Sequence, residues 1–154
     1  MVSKEESPIL VTWSELFAVG IDLIDNQHRE LVNLTNQLYK ACTTSEETLS
    51  VLFKDHLHSM VEYVRFHFTA ELKLLERIKY PDYQEHKKQH DQLVIQILEA
   101  AKEFEGGKKL VPNHFVRTLK DWVFGHIGIY DQQYAAYVRE QKHKGLLTDA
   151  EING

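Results

Sequence analysis

The chain is poor in the features that would tie it to a membrane, to nucleic acid or to disulfide chemistry. Its 154 residues include one cysteine, Cys42, so no internal disulfide can form. No apolar run reaches the ~20 residues that a bilayer-crossing helix needs. The opening residues, Met-Val-Ser-Lys-Glu-Glu-Ser-Pro, lack the apolar centre of a signal peptide, and a cytoplasmic location is expected. Lys and Arg form no stripe and the net charge is −5, which argues against a nucleic-acid partner. Strand-like alternation and internal repeats are both missing. What remains is an ordinary globular composition, 43% apolar and 27% charged, long enough for one domain with a real core.

The residue in excess is histidine, with nine copies. Five of them, with two carboxylates, stand at spacings that would close one cage across four helices: His28, His67 with Glu71, His86 with His90, and His126 with Asp131. A separation of four places two side chains one above the other on a helix face. Imidazole nitrogens with carboxylate oxygens suit iron, zinc, copper or nickel better than calcium or magnesium. One ion rarely takes more than six ligands. Seven ligands, two able to bridge, point to two metals.

The helical frame follows from punctuation. Residues 1–20 read as an N-terminal arm with enough apolar surface (Ile9-Leu10-Val11, Trp13) to pack on the body, and residues 21–154 as the bundle. The first helix is expected from Asp22, as its cap, to about Cys42. Thr43-Thr44-Ser45 reads as a turn. Ser45 caps a second helix, with Glu46 and Glu47 in its first turn, reaching about Lys79. Pro81 starts a third helix, which Gly106-Gly107 ends. Pro112 starts a fourth that runs to about Lys144, where Gly145 stops it. Four long helices with short turns predict an all-α, antiparallel up-down four-helix bundle.

Helical faces choose among the histidines. The second helix carries two His-x-x-x-Glu pairs, His58/Glu62 and His67/Glu71. They lie nine residues apart, about 180° of rotation at ~100° per residue. The His67 face holds Met60, Tyr63, Val64, Phe68, Leu74, Leu75 and Ile78. The His58 face holds Asp55, Arg65, Thr69, Lys73 and Glu76. His67 and Glu71 therefore point to the core, and His58 with Glu62 to water. His86 and His90 continue into Leu93, Val94, Ile97, Leu98, Ala101 and Phe104. His126 lies among Leu119, Trp122, Val123, Ile127, Tyr130 and Tyr137. His28 lies between Ile24 and Leu31. His56, His58, His114 and His143 are left out of the cage. Burying the chosen set without cations would be costly, because an unpartnered buried carboxylate is expensive.

If Glu71 and Asp131 both bridge, and one oxo or hydroxo group bridges as well, two octahedral metals are left one coordination position short. An open position is where a small molecule binds.

The ligand set also carries a resemblance. Val19-Gly-Ile-Asp-Leu-Ile-Asp-Asn-Gln-His28-Arg-Glu-Leu31, His67-Phe-Thr-Ala-Glu71, His86-x-x-x-His90 and Trp122-Val-Phe-Gly-His126-Ile-Gly-Ile-Tyr-Asp131 resemble the hemerythrin family in order and spacing. Trp13 to Leu31 is similar to its bacterial branch, and the likeness spans about Trp13 to Tyr137. The resemblance implies two iron ions with a bridging oxo or hydroxo. His86, His90 and His126 would saturate one iron. His28 and His67 would hold the other, with the vacancy there and Glu71 and Asp131 as bridges. Dioxygen would bind end-on at the vacancy. Leu31, Phe68, Trp122 and Ile127 flank that position and would form a dry oxygen pocket.

The expected function is reversible dioxygen binding for carriage, storage or delivery, not enzymatic turnover. Di-iron enzymes that activate oxygen usually carry four carboxylates and two histidines. Here there are two carboxylates and five histidines, a set that stabilises high oxidation states less. Oxygen or redox sensing, peroxidase or nitric-oxide-reducing activity at the same centre, and zinc or iron storage are the competing readings. Dioxygen is the expected partner, with an oxygen-consuming enzyme or a reductase beside it, on a monomer or weak oligomer.

Two details resist a regular helix. His126 and Asp131 are five residues apart, about 140° of rotation, so Asp131 must reach sideways or the helix must be wound differently. Gly125 and Gly128 bracket His126 and suggest close helix packing there, or a small passage to the site. Metal-bound histidines usually donate their second ring N–H to an outer partner, and a tyrosine, a glutamine or a backbone carbonyl is a candidate for that role, though the sequence does not pair them.

Overall fold

A computed structural model of the chain describes residues 9–43, 46–106 and 111–154. Four helical rods form a ring in which each packs on the next and the last closes on the first. The first rod is α1 (Asp22–Ala41), the second α2 (Glu46–Arg77) and the third α3 (Tyr83–Glu105). The fourth rod is compound. It comprises α4 (Val111–Gly125), one π-helical turn (His126–Tyr130) and α5 (Asp131–His143), with no break between them. A short α6 (Asp149–Asn153) follows. There is no strand among the described residues, and none of the helices is long and apolar enough to cross a membrane.

The rods form where the punctuation expected, with local differences. Ile21 occupies the cap position of α1, and the Asp22 side chain makes no capping bond. Asp22 and Asp25 both sit in the first turn, where negative charge opposes the helix dipole. The Asp25 carboxylate reaches back instead, accepting from the backbone N–H groups of Val19 (2.7 Å) and Gly20 (3.1 Å). It binds the incoming chain rather than the helix itself. Gly20 has φ +82, which lets the chain turn into α1 at little steric cost. Ser45, expected as the cap of α2, lies outside the described residues, as do the first eight residues of the arm, Gly107 and the side chains of residues 46–50. After Pro81 the chain makes one more turn residue, and α3 begins at Tyr83. Pro112 is the second residue of α4. Gly145, with φ +71, ends α5.

One element is missing from the sequence-based frame. Thr148 and Glu151 form a reciprocal capping box that starts α6. Its Ile152 is buried, and Arg77 at the end of α2 donates to the carbonyls of Glu151 and Ile152.

Two apolar cores fill the bundle. One gathers Leu34, Leu38, Phe53, Leu57, Met60, Leu93, Ile97, Phe115 and Leu119. The other gathers Ile24, Leu74, Leu75, Ile78, Tyr134, Ala135 and Val138. On α1 and α2 the cage residues fall between stretches belonging to one core and the other. On the fourth rod they fall between α4, which feeds the first core, and α5, which feeds the second. The cage is therefore a polar layer sandwiched by hydrocarbon. The face assignment holds with two exceptions. Leu98 is half exposed, and Tyr130 is 39% exposed because the π turn swings it outward.

Candidate metal centre

Seven polar side chains converge in that layer, and all are buried: His28, His67, Glu71, His86, His90, His126 and Asp131. His58 and Glu62, the other pair on α2, are exposed, as are His114 and His143. The rotation argument separated the two pairs correctly.

Glu71 is the hub. Its Oε2 lies 2.8 Å from His90 Nε2, 3.1 Å from His86 Nε2, and 3.9 Å from both His126 Nε2 and His67 Nε2. Its Oε1 lies 3.7 Å from His28 Nε2. The donor atoms fall into two groups that share Glu71. One comprises Glu71, His86, His90 and His126, and the other His28, His67 and Glu71. Asp131 belongs to neither group, but it divides its oxygens the same way. Oδ2 is 3.0 Å from His28 Nε2, while Oδ1 is 2.9 Å from His126 Nε2 and 3.3 Å from His86 Nε2.

The winding of the fourth rod brings Asp131 there. Its N–H bonds to the carbonyl of His126, five residues back, which is the π pattern. A π turn is wider than an α turn, so residues five apart come close to one face and most of the ~140° offset of a regular helix is removed. Neither bracketing glycine serves close helix packing. A Cβ on Gly125 would meet nothing within 4 Å, and one on Gly128 would meet only the Phe17 ring, at 3.8 Å.

Electrostatics show what the layer needs. Burial alone would push the Glu71 carboxyl up; the imidazoles around it, His67 first, hold it well below its usual range. Asp131 is held low by His126 and His28, against burial and the Glu71 charge. Burial pulls His28 and His126 down, but the two carboxylates prevail and raise them to about 9 and about 10. Burial dominates at His67, lowering it to about 3, and it also lowers His90. In the metal-free chain, protons on His28 and His126 thus balance the two buried carboxylates.

That balance is poor in hydrogen bonds. Both ring nitrogens of His28, both oxygens of Asp131 and the Nδ1 atoms of His90 and His126 are buried without a hydrogen-bond partner. The short approaches to Asp131 lack hydrogen-bond alignment. His90 Nε2 and His126 Nε2 face each other at 3.2 Å, although two imidazoles can share only one proton there. Each unsatisfied buried group costs roughly 1–3 kcal/mol. His28 Nε2 and both Asp131 oxygens are the orphans that face the cage, and a cation there would satisfy them, so the residues fit one; the three Nδ1 atoms are the far ring nitrogens and gain nothing from it.

Two surrounding contacts were not assigned from sequence. His67 Nδ1 donates to Gln27 Oε1 at 2.7 Å, which leaves Nε2 unprotonated and turned to the cage. The fully buried Tyr134 hydroxyl donates to Glu71 Oε1 at 2.7 Å. Tyr134 lies one turn after Asp131 and Gln27 directly precedes His28, so adjacency to ligands was the available signal.

Of the four expected pocket residues, Leu31, Phe68 and Ile127 are buried and Trp122 is partly so. Phe68 stacks on His90 with ring centres 3.7 Å apart, and Trp122 stacks on His126 at 4.8 Å. Phe68 is also 5.8 Å from His67. The two large rings thus lie chiefly against the three-histidine group, whereas the expectation put all four beside the two-histidine group. The Val123 side chain lies outside the described residues.

Comparison with known proteins converges on one family. The family model described as the hemerythrin HHE cation binding domain matches residues 19–138. The chain is 30% identical to a bacteriohemerythrin of Stenotrophomonas maltophilia over 130 residues, covering 84% of this chain and 82% of that protein. It is 30% identical to a bacteriohemerythrin of Pseudomonas aeruginosa over 144 residues, covering 94% and 91%. A crystal structure of wild-type hemerythrin superposes with a TM-score of 0.75 at 27% identity, covering 82% of this chain and 96% of that one.

Proposed function

Because the chain belongs to the hemerythrin family, we propose that its polar layer holds two iron ions and binds dioxygen reversibly. The observation that carries this reading is the division of both carboxylates. Glu71 and Asp131 each present one oxygen to His28 and the other to histidines of the three-histidine group, and Glu71 Oε2 also lies 3.9 Å from His67 Nε2. A carboxylate shared in that way joins two cations rather than serving one.

In this reading His86, His90 and His126 hold one ion, and His28 and His67 hold the other. Glu71 and Asp131 join them. His28 and His67 would supply fewer protein ligands than the three-histidine side, so the exchange of small molecules would fall to their side. Iron in such a set supplies two one-electron reductants side by side, which matches the two-electron demand of dioxygen.

The chain's own residues do the rest. Gln27 fixes the His67 ring so that Nε2 serves the ion. Tyr134 holds one oxygen of Glu71 by its hydroxyl and keeps that carboxylate from rotating. Leu31, Phe68, Trp122 and Ile127 exclude water, and water would favour loss of bound oxygen with the irons left oxidised. The excess of histidine over carboxylate favours reversible binding above oxygen activation.

Anaerobic loading with ferrous iron followed by air tests the reading. A reversible binder changes from colourless to strongly coloured, bleaches under vacuum and survives several cycles with two irons per chain. One-way oxidation would favour sensing or turnover at the same centre. Two zinc ions with no spectral change would favour storage.

A further inference from the structure

Four consecutive residues ahead of α1 hold two helices at once. The N–H groups of Val19 and Gly20 donate to the Asp25 carboxylate on α1. The carbonyls of the two residues before them, Phe17 and Ala18, accept from the Gln132 side-chain amide at 3.2 and 3.1 Å. Asp25 lies three residues before His28, and Gln132 directly follows Asp131. The segment Phe17–Gly20 is therefore a short backbone bracket between the helix that carries His28 and the π turn that delivers Asp131. His28 Nε2 and Asp131 Oδ2 stand 3.0 Å apart across the gap it spans.

The bracket is anchored independently of the site. Glu15–Phe17 form a 3₁₀ turn capped by Ser14, whose Oγ accepts from the N–H of Leu16. The Arg29 guanidinium lies over the Trp13 ring at 4.8 Å, and the Trp13 and Phe17 rings lie 5.9 Å apart. Further out, Asn36 accepts from the N–H groups of Leu10 and Val11 and donates to the Val11 carbonyl. The Phe17 ring rests over Gly128, in the middle of the π turn.

A π turn needs such support. It is rare, and it appears mostly as a single turn inserted in an α-helix, so the competing winding is the regular helix on either side of it. Rewinding to regular α-helix would carry Asp131 about 140° from His126 and out of the cage. We propose that Gln132 is a positioning residue: through Phe17 and Ala18 it keeps the π turn wound and the Asp131 carboxylate beside His28. The inference rests on the two-metal reading for its consequence, but the bracket exists in the metal-free chain.

The test uses the full chain in two forms, metal-free and loaded with cobalt(II), whose visible bands report coordination geometry. Gln132→Glu keeps the side-chain skeleton and removes both donor hydrogens. Amide exchange at residues 128–131 of the metal-free protein is expected to quicken at least tenfold, and the cobalt bands to shift while helical content is kept. Gln132→Lys restores a donor and is expected to return both readouts toward the parent. Asn36→Leu cuts the outer clasp alone and is expected to leave both unchanged. Parent-like exchange and bands in Gln132→Glu would overturn the proposal. So would an Asn36→Leu effect equal to that of Gln132→Glu, since the arm would then act only as a general cover. A parent chain that takes fewer than two cobalt ions would remove the two-metal reading, and the exchange comparison would still decide whether the bracket holds the turn.

Discussion

Helix α2 carries the same His-x-x-x-Glu motif twice, and the two copies have opposite fates. His58 and Glu62 face solvent. His67 and Glu71, nine residues later, are 1% and 0% exposed and sit at the centre of the cage. Nothing in the motif distinguishes them. The difference lies in rotation around the rod and in the hydrocarbon on either side, which raises the cost of leaving a carboxylate unpartnered. A metal-ligand motif therefore has meaning only with its face.

The sharpest way to break that comparison is at the carboxylates. Glu71→Ala removes the shared ligand and is expected to abolish binding of both irons, read by elemental analysis of the anaerobically loaded protein. It also leaves Asp131 as the one cage carboxylate facing the two raised imidazoles, His28 and His126, so one buried positive charge loses its balance, at a cost of roughly 3–5 kcal/mol in the metal-free chain. Glu62→Ala should keep two irons and parent stability. Next comes His67→Ala, expected to lower the iron content from two to one, beside His58→Ala with no loss. Retention of two irons by His67→Ala would contradict the assignment.

A smaller effect concerns protons. His28 and His126 are raised in the metal-free chain to about 9 and about 10, whereas His67 is lowered to about 3. Near pH 7.5 metal must displace protons from the first two but not from His67. Calorimetric loading in buffers of different ionisation enthalpy should show proton release, with apparent affinity rising as pH rises. The sign for stability is the reverse. A raised histidine pKa stabilises the fold fully below the unfolded value of about 6.5, and that contribution is lost as pH rises through about 9 to 10. The metal-free protein should therefore melt at lower temperature at pH 10 than at pH 8, and the loaded protein should not follow it.

The smallest expected functional change is at the pocket. Leu31→Ala and Ile127→Ala should admit water and speed autoxidation several-fold, at a stability cost of ~2–5 kcal/mol. Leu98→Ala, at a half-exposed position, should change neither. Unchanged autoxidation in both buried variants would count against the dry-pocket argument.

The bundle and the seven converging side chains were legible because both rest on helical periodicity, and rotation per residue is nearly constant in a regular helix. What escaped lies where that constancy fails or where partners are distant in sequence. The distance from His126 to Asp131 revealed that the winding had to change or the side chain reach sideways, but not which. Tyr130 was assigned to the inner face by α periodicity and left it when the turn opened. Gln27 and Tyr134 are ordinary residues until the rods are docked, since their partners lie 40 and 63 residues away. The capping box of α6 was readable as Thr148-x-x-Glu151, but it stood beyond the glycine taken as the end of the last helix.

Gln27 and His28 are neighbours on α1, yet one orients the His67 ring and the other offers its own nitrogen to the same half of the centre. A single rod thus controls both imidazoles of that half, whereas the opposite half draws its three from α3 and the π turn. A tilt of α1 would disturb both donors together, so if two ions are bound, the one on that side is expected to leave first under a limiting chelator. The half-emptied protein that results is a natural starting point for building a mixed-metal pair.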